Sequence, residues 1–95
     1  MDSAGTKVLR DAIRHMHGVD SKWVESLSVT ETSQGKTVWD GEVQVFFLMG
    51  HPTATRAYAW SLETSDGKRD VVAMLETGPV KDAVTAVRAS IAARS

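Results

Sequence analysis

Residues 48–61 read LMGHPTATRAYAWS. An apolar run ends at Gly50-His51-Pro52, and an alternating run with Tyr58 and Trp60 at even positions follows. Period-two alternation on both sides of a Gly/Pro break is the pattern of two antiparallel strands joined by a hairpin. Side chains alternate between the faces of a sheet, so the parity of the loop decides which residues share a face. Upstream, Trp39, Val43, Val45, Phe47 and Met49 fall at odd positions. An even-length loop is needed to bring them beside Tyr58 and Trp60. A two-residue turn at Pro52-Thr53 supplies one, with proline where its fixed φ suits a tight turn, and pairs Phe47 with Tyr58 and Val45 with Trp60.

The same reasoning extends to both sides. Asp66-Gly67 is a strong two-residue turn signal, which pairs Leu62 with Val71, Trp60 with Ala73 and Tyr58 with Leu75. Ser33-Gln34-Gly35 reads as a three-residue loop with glycine in the left-handed region, aligning Leu27 with Gly41 and Val29 with Trp39. Gly41, inside a strand, marks a bulge or the close approach of another backbone. Residues 22–76 therefore form four strands in an antiparallel meander.

Helical periodicity flanks the strands. Val8, Leu9, Ala12, Ile13 and Met16 form one apolar face, and the helix stops at Gly18 with Arg14 and His15 in its last turn. A second helix starts at Glu76-Thr77-Gly78-Pro79 with proline in its first turn, and Val80, Ala83, Val84, Val87 and Ile91 make its stripe. The expected fold is α+β in the order α-β-β-β-β-α, a single domain over residues 1–95, in two layers, with both helices on the Tyr58/Trp60 face or one helix reaching a neighbouring subunit. That leaves Phe46, Leu48, Ala57, Ala59, Val72 and Met74 as an apolar patch on the opposite face. A patch of that kind is expected to be covered, here by a second copy of the chain in a homo-oligomer, most simply a dimer.

Composition bounds the function. The 95 residues include no cysteine, which excludes disulfides, thiol nucleophiles and thiolate metal sites. A net charge of -1, from 11 basic and 12 acidic residues, offers no field to attract nucleic acid or an anionic membrane. Neither a signal peptide nor a membrane-length apolar run is visible, so the expected compartment is the cytoplasm.

Chemical candidates are few. His51 is the strongest single candidate for chemistry, a histidine at a hairpin tip that can be exposed, but no nucleophile or second histidine accompanies it in the expected register. His15 and His17, two apart on a helix, point to different faces and make no metal pair. Asp40 and Glu42 share a strand face at a spacing that suits acid/base work, and equally suits a solvated acidic end. Trp39, Tyr58 and Trp60 read as core. They also provide the floor of an apolar ligand pocket between helices and sheet, with Glu42, His51 and Arg56 at its rim. No phosphate loop, zinc-protease run or hydrolase elbow is present, and no cofactor is implied.

The segments HGVDSKWVESLSVTE and TVWDGEVQVFFLMGHPTATRAYAWS resemble small bacterial proteins of the kind encoded in mobile integron gene cassettes. The resemblance implies homo-oligomers, sometimes pocketed, and assigns no residue a role. Two functional expectations follow: a self-associating module of unknown biochemical role, or a small-molecule binding protein or enzyme built on the aromatic pocket. An α-β-β-β-α likeness to double-stranded RNA binders is countered by the extra strand and the neutral charge balance.

Overall fold

The computed structural model describes residues 4–63 and 66–94. Its elements are α1 (Ala4–His17), β1 (Asp20–Ser33), β2 (Lys36–Met49), β3 (Arg56–Glu63), β4 (Arg69–Leu75) and α2 (Ala83–Arg94). The strands form one antiparallel sheet in the order β1-β2-β3-β4, so the α-β-β-β-β-α order and the meander are as expected from the sequence. No helix among the described residues is long and apolar enough to cross a membrane.

The helices lie on opposite faces, which makes three layers instead of two. Leu9 and Ile13 of α1 pack on Phe46, Leu48, Ala57 and Ala59. Val80, Ala83, Ala86 and Val87, in and just before α2, pack on Val43, Val45, Tyr58 and Trp60. Alternation along β2 and β3 sends these two sets to opposite sides. The residues expected to await a second copy are therefore covered by α1: Phe46, Ala57 and Ala59 are fully buried and Leu48 is 3% exposed. On α1 itself the buried face runs through Thr6, Leu9 and Ile13, leaving Val8 and Met16 half exposed.

Register explains the remaining differences. The first connection is a two-residue turn, Gln34-Gly35, with φ of 53° and 78°; an irregularity at Glu31/Thr32 then aligns Val29 with Gly41 and Leu27 with Val43. The second spans residues 50–55, so Phe47 meets Arg56 and Val45 meets Tyr58. Both shifts from the expected pairing are by two residues, which preserves the faces. The third connection pairs Glu63 with Arg69, Trp60 with Val72 and Tyr58 with Met74. That is a slip of one, so Val72 and Met74 join the α2 side, while Val71, Ala73 and Leu75 pack with the α1 side. At the Asp66-Gly67 turn expected there, Gly67 takes φ of 82° and Lys68 N–H donates to Asp66 Oδ1 at 3.2 Å, while residues 64–65 lie outside the described residues.

Gly41 is explained by a side chain. The Trp39 indole lies over it, and an added Cβ would sit 3.3 Å from that ring. The long β1–β2 hairpin carries a polar ladder on the α1 side. Trp23 Nε1 donates to Gln44 Oε1 at 2.8 Å, Ser26 Oγ to Glu42 Oε2 at 3.0 Å, and Thr30 Oγ1 to Asp40 Oδ1 at 2.9 Å.

α2 begins later than its proline suggests. Gly78, at φ 59°, and Pro79 form a tight turn closed by Val80 N–H to Thr77 O. The cap is Asp82: its Oδ1 accepts from Thr85 N–H at 2.9 Å, and its own N–H donates to Thr85 Oγ1 at 3.0 Å. This reciprocal pair satisfies two of the donors that a helix start leaves free. The hydrogen bonds from Thr85 hold the Asp82 carboxyl below its ordinary value, so its contribution is present at neutral pH and fades as pH falls. Asp82→Ala is expected to cost about 1 kcal/mol in urea unfolding at neutral pH, with a smaller difference in acid.

Candidate functional site

The aromatic residues singled out by the sequence do converge. Trp39 and Trp60 meet edge to face with centroids 5.6 Å apart, and both belong with Tyr58 to the α2-side core. Tyr58 is 3% and Trp60 2% exposed, so neither ring presents a surface to solvent. The Tyr58 hydroxyl donates to Glu76 Oε2 at 2.6 Å and lies 3.2 Å from Lys81 O, which ties the β4–α2 connection to the sheet. Trp60 Nε1 is buried without a partner among the described residues.

Burial and the hydrogen bond to Glu76 push the Tyr58 phenol above its ordinary value, with nearby Arg56 opposing them. A group raised on folding stabilises the fold below its unfolded pKa, and that contribution is lost as pH rises toward the folded value. Tyr58 is the one tyrosine of the chain. Its phenolate absorbance is therefore expected to stay flat above pH 10, where a free tyrosine is half ionised, until the protein unfolds, which parallel circular dichroism would date.

The other rim residues do not join this cluster. Glu42 lies on the opposite face, accepting from Ser26. Arg56 is exposed at the start of β3. His51 Nδ1 accepts from the N–H groups of Thr53 and Ala54, at 3.2 and 2.9 Å, so this imidazole folds its own loop and carries its proton on Nε2. Asp40 is bonded to Thr30, and among the described residues no three His, Cys, Asp or Glu side chains are grouped to hold a metal.

The edges of the sheet offer a different kind of site. Leu48 N–H donates to Thr55 O at 2.8 Å. In the observed register, Leu48, Phe46 and Gln44 therefore turn their backbone groups toward β3, and the intervening Val45 and Val43 turn theirs toward β1. Val45 faces Glu25, Val43 faces Leu27 and Gly41 faces Val29. By alternation, the N–H and C=O groups of Ser26, Ser28 and Thr30 point outward from β1, where the sheet ends. This edge belongs to a 14-residue strand, and Ser26-Leu27-Ser28-Val29-Thr30 carries neither charge nor proline. Those are the residues by which an edge is normally protected. Val24 is 44% and Leu27 36% exposed beside it.

β4 provides the contrast. It has seven residues, and Glu76 N–H to Arg56 O fixes its alternation, so that Ala73 C=O points outward. His17 Nε2 donates to that carbonyl at 3.2 Å. The last turn of α1 thus blocks one edge of the sheet while the other stays open. In the sequence, this edge corresponds to the uncharged SLSVT run of residues 26–30, which hydrophobic periodicity does not single out.

Comparison with known protein families, with characterised proteins and with solved structures finds no match to this chain.

Proposed function

We propose that the chain is a homo-oligomeric module, its biochemical role unassigned, whose copies join by antiparallel pairing of their β1 edges. The observation that carries this reading is the row of outward backbone groups at Ser26, Ser28 and Thr30, in a five-residue edge segment without charge or proline between Glu25 and Glu31. A two-fold axis at Ser28 opposes Ser28 to its own copy, Ser26 to the copy's Thr30, and Leu27 to the copy's Val29. The apolar pairs then continue the α2-side core across the junction, and the hydroxyl pairs continue the polar ladder on the other side. Glu25 of each copy faces the other's Glu31, which Arg88 already pairs and whose charge it balances. A second copy fits better than an unrelated peptide because one segment supplies both halves of this pattern. The resemblance to integron-cassette proteins agrees with an oligomer.

The test is the solution mass of the wild type and of Ser28→Pro, by light scattering. The expected result is a dimer of the 10.3 kDa chain for the wild type and a folded monomer for the variant. A wild-type monomer at high micromolar concentration contradicts the reading.

A further inference from the structure

β4, one of the two edges of the sheet, is apolar on both faces. Val71-Val72-Ala73-Met74-Leu75 runs without charge or proline, the composition of a segment that pairs readily with its own kind. Its pairing with β3 turns the backbone groups of Val71, Ala73 and Leu75 outward. Two donors of the chain stand along this row. Thr77 N–H donates to Leu75 O at 2.8 Å, in the turn by which the chain leaves the strand. His17 Nε2, 56 positions away, donates to Ala73 O.

The histidine is not needed to hold or to end α1. Leu9 and Ile13 already bury the helix on the sheet, and Gly18 N–H to Arg14 O closes its last turn. The Ala73 carbonyl points along the plane of the sheet, so an imidazole nitrogen 3.2 Å beyond it stands in the lane, about 4.8 Å from β4, that a further strand would occupy. It also takes an acceptor near the middle of β4 that such a strand would need.

We infer that β4 is a second self-pairing edge and that His17 holds it in check: without the bond to Ala73, β4 pairs antiparallel with β4 of another copy about Val72. Val71 and Ala73 then exchange backbone bonds with the copy's Ala73 and Val71, and Val72 meets its own counterpart. The occupant is another copy because the same apolar segment supplies both sides. Asp70 faces the copy's Met74 and Arg69 its Leu75, so no like charges are opposed. Where the β1 edges pair as well, loss of the histidine turns a closed pair into an open, growing sheet. That consequence rests on the β1 reading; the pairing of β4 does not.

The test adds His17→Ala or His17→Gln to the full chain carrying Ser28→Pro, and follows mass by light scattering, fold by circular dichroism and amide hydrogen exchange by residue. The glutamine amide is as many bonds from the backbone as imidazole Nε2 and donates in its place. The alanine variant is expected to keep the native spectrum, to double the mass of its parent, and to slow exchange at Val71 and Ala73 about tenfold, as amides that pass from an open edge into a ladder do. The glutamine variant is expected to match the parent in both. If alanine costs the native spectrum, His17→Leu, which keeps packing and drops the donor, is read in its place. A folded variant without the donor whose mass is unchanged overturns the inference, as does association without protection at Val71 and Ala73, or a glutamine variant that associates as alanine does. Failure of the β1 reading shows separately, as a Ser28→Pro parent with the mass of the wild type, while the histidine comparison reads only the increase over that parent.

Discussion

Leu48→Asp is expected to abolish the folded state and not to release a soluble monomer. Leu48 is 3% exposed and packs in one cluster with Leu9, Ile13, Phe46 and Ala57. Truncating a buried leucine costs about 2–5 kcal/mol through lost transfer energy and the cavity left behind. Aspartate adds an ionised group with no partner in an apolar layer, which costs more unless it takes up a proton. Domains of this size have total stabilities of about 5–15 kcal/mol, so the sum approaches or exceeds what is available. Far-ultraviolet circular dichroism of the variant should show loss of the native spectrum at neutral pH, with partial recovery in mild acid as the carboxyl is neutralised. A native spectrum at neutral pH would mean that α1 does not cover this face.

The second large effect is expected at Ser28, where the fold survives and the assembly does not. Proline in a sheet is tolerated where the missing N–H would face solvent, and the alternation of β1 assigns Ser28 that orientation. In an isolated chain Ser28→Pro should therefore cost little beyond local strain. In a β1-paired dimer it removes both hydrogen bonds donated across the two-fold axis and puts a ring where the neighbouring strand would lie. Leu27→Lys is a second route to the same outcome, since a lysine on an edge strand disfavours pairing and Leu27 is already partly exposed. Both variants are expected to melt cooperatively as monomers, with a transition independent of protein concentration, in contrast to the concentration-dependent melting of a dimer.

How much of this was legible in the sequence depended on parity. Trp39, Val43, Val45, Tyr58 and Trp60 were brought to one face although both hairpin registers were off by two residues, because an even slip keeps faces intact. The third connection slipped by one. β4 reads Val71-Val72-Ala73-Met74-Leu75, apolar on both faces, and has no alternation to pin its register. The expected turn consequently puts Val72 and Met74 on the side opposite to the one they occupy. The apolar face of Phe46, Leu48, Ala57 and Ala59 was correctly read as needing a cover. That the cover is α1 is not legible, because an amphipathic helix shows which of its own sides is buried and not which face of the sheet receives it. Among the candidate site residues, Trp39, Tyr58 and Trp60 lie together in the core, while Glu42 lies on the far face and His51 folds into its own loop. The outward groups of Ser26, Ser28 and Thr30 left no trace in hydrophobic pattern, since they depend on backbone pairing.

Because the chain contains no cysteine, Ser28→Cys introduces a single thiol on the proposed two-fold axis. Residues that exchange both backbone hydrogen bonds across an antiparallel pair have Cα atoms about 5.5 Å apart, within reach of a disulfide. Mild oxidation at low micromolar concentration, resolved on a non-reducing gel against a Ser33→Cys control at the far end of the hairpin, is the most direct measurement. Rapid, near-complete conversion of Ser28→Cys to a covalent dimer, with the control left monomeric, is the expected result. Equal and slow crosslinking of the two variants would contradict pairing through the β1 edge.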